Sequence, residues 1–116
     1  MVSRREAGEY VIAVDGEDVS VFPSFADAAR AVEREDACSG DLTFLTGTGA
    51  GLAAVPDESD PSGWHLEVLT GAAVRPVRLI LSTYLSGIIP AAMVDTLSDA
   101  EMLVSIADMQ SHGRRR

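Results

Sequence analysis

The sequence predicts an α+β fold, an antiparallel sheet of about five strands with about three helices packed on one face, in the order β-β-α-β-β-β-α-α. Three observations carry this reading. β-Branched and aromatic residues gather in short runs, separated by Gly, Asp and Pro turn signals, as far as "WHLEVLT". Beyond Pro76 the apolar spacing changes to the period of a helix. Near the end, "LSDAE" sets a capping serine three residues before a glutamate. With 116 residues, 47% of them apolar, the chain is read as one domain, residues 1–116, able to bury a core without disulfides or a structural metal.

Taken in order, "EYVIAV", "DGED" and "VSVF" predict a hairpin, with strands at Glu9 to Val14 and Val19 to Phe22 around an Asp-Gly turn. Pro23 stops the second strand, Ser24 offers its hydroxyl to the first N–H groups of a helix, and Asp27 suits the positive end of its dipole. Phe25, Ala29 and Val32 give that helix an apolar stripe, and it should fade near Asp36. "LTFLT" and "LAAVP" are the next two strands, on either side of Gly47, Gly49 and Gly51. The polar loop "DESDPSG" leads to "WHLEVLT", a strand with Trp64, Leu66 and Val68 turned inward and His65 and Glu67 on the opposite face.

Val77, Ile80, Leu81, Tyr84, Leu85 and Ile88 then follow helical spacing, with Pro76 at the start and Gly87 near the end, although a strand reading of "VRLIL" stays open. A last helix is expected from about Asp99 to Ser111. Ser98 and Glu101 form its capping box, Leu97 and Met102 its hydrophobic staple, and Leu103, Ile106 and Ala107 face inward. His112, Gly113 and the arginines 114–116 complement its negative carboxyl end.

Charge bears most directly on function. All 18 acidic residues lie between Glu6 and Asp108, where only four arginines accompany them, so the body carries −14 and the terminal arginines bring the total to −9. Such a body repels phosphates and anionic lipid, which argues against direct nucleic-acid or membrane partners. No apolar run approaches the ~20 residues of a membrane span, and the amino terminus lacks the apolar stretch of a secretory signal. The lone Cys38, read as a small space-filler, fits a reducing compartment, so a cytoplasmic location is expected. All nine basic residues are arginine and there is neither lysine nor asparagine, a bias of GC-rich coding that suggests a bacterial source.

Chemistry-bearing patterns are few. The alternate glycines are not followed by a helix, and no lysine is present to complete a phosphate-binding loop, so they are read as a hairpin turn without a nucleotide cofactor. His65 beside Glu67 has the form of an acid–base pair, but no nucleophile is tied to it, and no catalytic residue is assigned. "DESD" lacks the ligand spacing of a calcium loop, and no metal is expected.

What remains is acidic surface: Asp15, Glu17 and Asp18 in the first hairpin turn, Glu33, Glu35, Asp36 and Asp41 around the first helix end, and Asp57, Glu58 and Asp60 in the long loop. The sequence reading is a non-enzymatic protein-binding module of the immunity or antitoxin-inhibitor kind. Its basic partner would be a toxin or nuclease, met at Asp15, Glu17, Asp18, Asp57, Glu58 and Asp60. One alternative is a homo-oligomeric structural or adaptor protein that pairs through Ile80, Tyr84 and Ile88, as in a homodimer. The other is a small-ligand binder or enzyme subunit using His65 and the glycine turn.

Overall fold

The computed structural model describes residues 6–71 and 73–114, with side chains as far as Ser111. Arg4, Arg5, Arg115 and Arg116, and the side chains of His112 and Arg114, lie outside the described residues. The strands are β1 (Val11–Asp15), β2 (Asp18–Phe22), β3 (Thr43–Thr46), β4 (Gly51–Pro56) and β5 (Trp64–Val68). They form one sheet in the order β2-β1-β3-β4-β5, with every neighbouring pair antiparallel. The helices are α1 (Phe25–Ala31), α2 (Arg34–Ala37), α3 (Val77–Ser86), α4 (Ala91–Val94) and α5 (Asp99–Arg114), and a short 3-10 turn, Ala7–Glu9, precedes β1. The α+β class and the predicted order therefore hold. The first helix, expected to fade near Asp36, instead breaks at Val32 into α1 and the short α2; α4 is an addition, and Val77–Ser86 is helical.

Local chemistry explains the boundaries. Asp15 pairs with Asp18 across a two-residue loop, and of the two loop residues only Gly16 has positive φ, at 59°. Glycine at the first central position is the requirement of a type II′ turn. At α1, Ser24 Oγ accepts the Asp27 N–H at 3.0 Å, and the Asp27 carboxylate pairs with Arg30. At α5, Glu101 N–H donates to Ser98 Oγ at 3.1 Å while Ser98 N–H donates to the Glu101 carboxylate at 2.9 Å, the reciprocal capping box. Ser98→Ala is accordingly expected to lower the unfolding free energy by ~1 kcal/mol. A denaturation midpoint equal to that of the unaltered chain would show that the cap adds nothing.

The helices, expected on one face, divide between both. Ile12, Val19, Val21 and Leu45 pack with Leu81, Leu85, Met102, Leu103 and Ile106 of α3 and α5. Val11, Ala13, Phe44, Leu52 and Trp64 pack on the other side with Ala28 of α1 and Ala37 of α2. Strand β1 explains why: Val11, Ile12 and Ala13 are all buried, and a strand apolar at consecutive positions must be covered on both faces. The α3–α5 layer sits on β1, β2 and β3, and no residue of β4 or β5 belongs to its core. On that face His65 and Glu67 meet solvent.

The two edges of the sheet differ. On β2 the Gln110 side chain of α5 accepts the Val21 N–H at 2.8 Å and donates to the Val19 carbonyl at 2.8 Å, taking the place of a neighbouring strand. Among the described residues, no side chain bonds the edge of strand β5 in this way. Of its expected inward residues, Trp64 is fully buried and Leu66 partly so, but Val68 is 60% exposed because the α1 layer stops short of it.

Candidate functional site

Strand direction decides where the acidic loops go. β1 ends at Asp15, and β3 begins beside that end, with Val14 opposite Thr43. β4 runs back along β3, so Pro56 and the loop after it return to the same end of the sheet. The Asp15–Asp18 turn, the α2-to-β3 segment with Asp36 and Asp41, and the Asp57–Asp60 loop therefore share one end. β1 and β4 are two strand spacings apart, about 10 Å, which is comparable with the ~8 Å screening length at physiological salt. Their fields overlap.

One part of this end is concave. Asp15, Glu33, Asp36 and Asp41 line a surface hollow of about 490 Å³, floored by Ala31, Val32 and Leu42. Asp15 reaches it because alternate residues of β1 face α1 and α2, after Val11 and Ala13. Among the described residues the body arginines held in ion pairs are Arg30, with Asp27, and Arg78, with Asp99 at 2.9 Å, and neither lines the hollow. The described residues hold no group of acidic, His or Cys side chains arranged to take a metal ion. The hollow suits the cationic end of an arginine or lysine side chain.

The long loop is organised by its own charges. His65 Nδ1 lies 2.7 Å from Asp57 Oδ2, and its Nε2 lies 2.6 Å from Glu67 Oε2. Carboxylates only accept hydrogen bonds, so both ring nitrogens must carry protons. The bond to Glu67 and then that to Asp57 raise the His65 pKa above the ordinary histidine value. The Asp57 carboxyl is lowered, first by the Ser59 hydroxyl, then by the Ser59 backbone N–H, then by His65. The expected pH dependence follows by sign. The His65 contribution to stability is complete below about pH 6.5 and is lost as pH rises through the raised pKa; that of Asp57 is present above about pH 3.9 and is lost as pH falls through the lowered one. An NMR titration of His65 checks this, and a midpoint at or below the ordinary value would rule out the double pairing.

Two of the expected partner-binding residues are thus partly committed to structure: Asp57 to His65 and Ser59, and Asp60 to the Ser62 N–H at 2.9 Å. Glu58 is exposed, as are Asp15, Glu17 and Asp18. The sequence hinted at His65 with Glu67; it did not link Asp57 to them, because that contact depends on how the loop folds.

The glycine turn lies at the opposite end of the sheet, and its N–H groups are spoken for. Gly47 N–H donates to Tyr10 O at 3.0 Å, Gly49 N–H to Thr46 O at 3.0 Å, and Ala50 N–H to Thr46 Oγ1 at 3.1 Å. The Thr48 N–H also points at Thr46 Oγ1, at 3.4 Å. A cradle for phosphate needs those amides unpaired. The turn instead docks the chain around it: the Arg75 N–H donates to Gly49 O at 2.9 Å.

Of the residues considered for self-association, Ile80 and Tyr84 are partly buried against the α3–α5 core and Ile88 is 51% exposed. The Tyr84 hydroxyl accepts a bond from Gln110 Nε2 at 3.2 Å. Cys38, expected to fill space, is instead exposed, at the C-cap position just past α2. No described helix is long and apolar enough to cross a membrane. Comparison with protein-family models, curated proteins and solved structures gives no match.

Proposed function

We propose that this chain is a non-enzymatic protein-binding module that docks on a basic partner through the acidic end of its sheet, as an immunity or antitoxin-type inhibitor of a basic toxin or nuclease would. The observation that carries the reading is the convergence of three acidic segments, distant in sequence, on one end of the sheet, where four carboxylates line a single hollow. Charge arranged this way acts mainly on encounter: it raises the association rate over about a Debye length and is weakened by salt. A cationic side chain seated in the hollow would then fix the register of the complex.

The test is kinetic. Asp15→Asn, Glu17→Gln and Asp18→Asn together, or Glu33→Gln, Asp36→Asn and Asp41→Asn together, remove charge with little change of shape. Asp57 and Asp60 are left alone, since their carboxylates hold the loop. Against the protein encoded by the neighbouring gene, each triple variant should associate about tenfold more slowly with little change in dissociation rate. Unchanged association in both variants, at low and high salt, would overturn the reading.

A further inference from the structure

The uncovered edge of β5 is the second surface with a built-in specification, and it does not depend on the acidic end. Asp57 N–H donates to Gly63 O and Leu69 N–H to Gly51 O, both at 2.9 Å. In the β4–β5 register the pairs Val55–His65 and Ala53–Glu67 fall between these two. Antiparallel ladders alternate bonded and non-bonded pairs, so the odd-numbered residues of β5 turn their backbone groups toward β4. Trp64, Leu66 and Val68 turn theirs outward. β5 is the last strand, and among the described residues no backbone or side-chain group bonds to the outward groups of Leu66 or Val68. The contrast with β2, whose edge Gln110 occupies, is direct.

We infer that the β5 edge pairs with β5 of a second copy of this chain, antiparallel and centred on Leu66, to make one continuous sheet across a twofold axis. The register follows from the residues. Centring on Leu66 sets Trp64 opposite Val68 of the second copy, so each outward-facing residue meets an outward-facing residue and exchanges both backbone bonds with it. On the α1 face, the row of Trp64, Leu66 and Val68 meets its own reverse, which covers Val68, now 60% exposed. On the other face His65 stands opposite Glu67 of the second copy, and Glu67 opposite its His65.

Those are non-bonded pairs, where facing side chains are closest, about 4.5–5.5 Å between Cβ atoms. A cationic imidazole thus meets a carboxylate twice. Any register shifted by one residue leaves outward backbone groups opposite inward ones and pairs nothing. A shift by two sets His65 against His65 or Glu67 against Glu67. Charge and backbone parity together select the symmetric arrangement.

Sedimentation equilibrium of the full chain tests it. A dimer is expected. Leu66→Pro removes an N–H that faces solvent in one copy, a position where edge strands accept proline, and should give a monomer with an unchanged circular dichroism spectrum. Should that variant misfold, charge exchange decides: Glu67→Arg sets Arg against His65 of the second copy and should weaken the dimer about tenfold, and adding His65→Glu should restore it. A monomer at every concentration up to about 1 mM overturns the inference and leaves the edge to a strand of another protein. A dimer indifferent to Glu67→Arg, or one that the double exchange fails to restore, also overturns it.

Discussion

Replacing Gly47 with alanine is expected to cost about 3 kcal/mol or more of stability, the upper end of what overpacking does. A methyl group at this position would collide with the Ala7 carbonyl oxygen and stand 2.8 Å from Leu103 Cδ1. Neither neighbour can retreat cheaply. The Ala7 carbonyl already accepts the Tyr10 N–H at 3.2 Å, and Leu103 is fully buried in the α3–α5 core. Gly8 makes the control, since a methyl there meets nothing within 4 Å, and its alanine variant should stay within about 0.5 kcal/mol of the unaltered chain. Chemical denaturation of the two variants separates a packing role for Gly47 from a merely conformational one. Equal midpoints would mean that the Ala7 segment does not dock on the turn.

That role was only half legible in the sequence. The glycines were readable as a turn between strands, since neither a helix nor a lysine follows them, but nothing local says that Ala7 and Arg75 close over them. The elements whose signals are local came through: Gly16 in its two-residue turn, Ser24 and Ser98 as caps, and the buried stripe Leu103, Ile106 and Ala107 of α5. The division of helices between two faces had a signal in "YVIAV". Tyr10 through Ala13 are all buried, and an unbroken apolar run marks a strand covered on both sides. The end of α1 at Val32 had no such signal, because apolar spacing continues through it. The acidic hollow is less legible still. Asp15 and Asp36 meet there only because β1 and α2 share a face, which is a property of the topology and not of either segment.

Trp64 caps the end of α1 at Val32, and Trp64→Ala is expected to cost about 3–5 kcal/mol, a large share of the ~5–15 kcal/mol that hold a domain of this size. The side chain is fully buried, its ring centroid 5.5 Å from that of Phe44, and its Nε1 donates to the Val32 carbonyl at 2.9 Å. Val32 has already left helical geometry, with φ −106° and ψ 128°, so its carbonyl has no partner within α1 and the indole supplies one.

Trp64→Phe separates the two contributions: most of the packing stays, while the carbonyl loses its donor, for an expected loss of about 1–3 kcal/mol. The consequence reaches the acidic end, because Val32 and Glu33 both line the hollow and the α2 turn begins from the Glu33 carbonyl, which accepts the Ala37 N–H at 2.9 Å. In Trp64→Phe the amides of Ala37 and Cys38 should therefore exchange with solvent faster than in the unaltered chain, while those of α5 slow or quicken only with global stability. If those two amides keep their protection once global stability is allowed for, the indole bond does not hold α2 in place. The shape of the hollow then rests on the packing of Ala28 and Ala37 against the sheet alone.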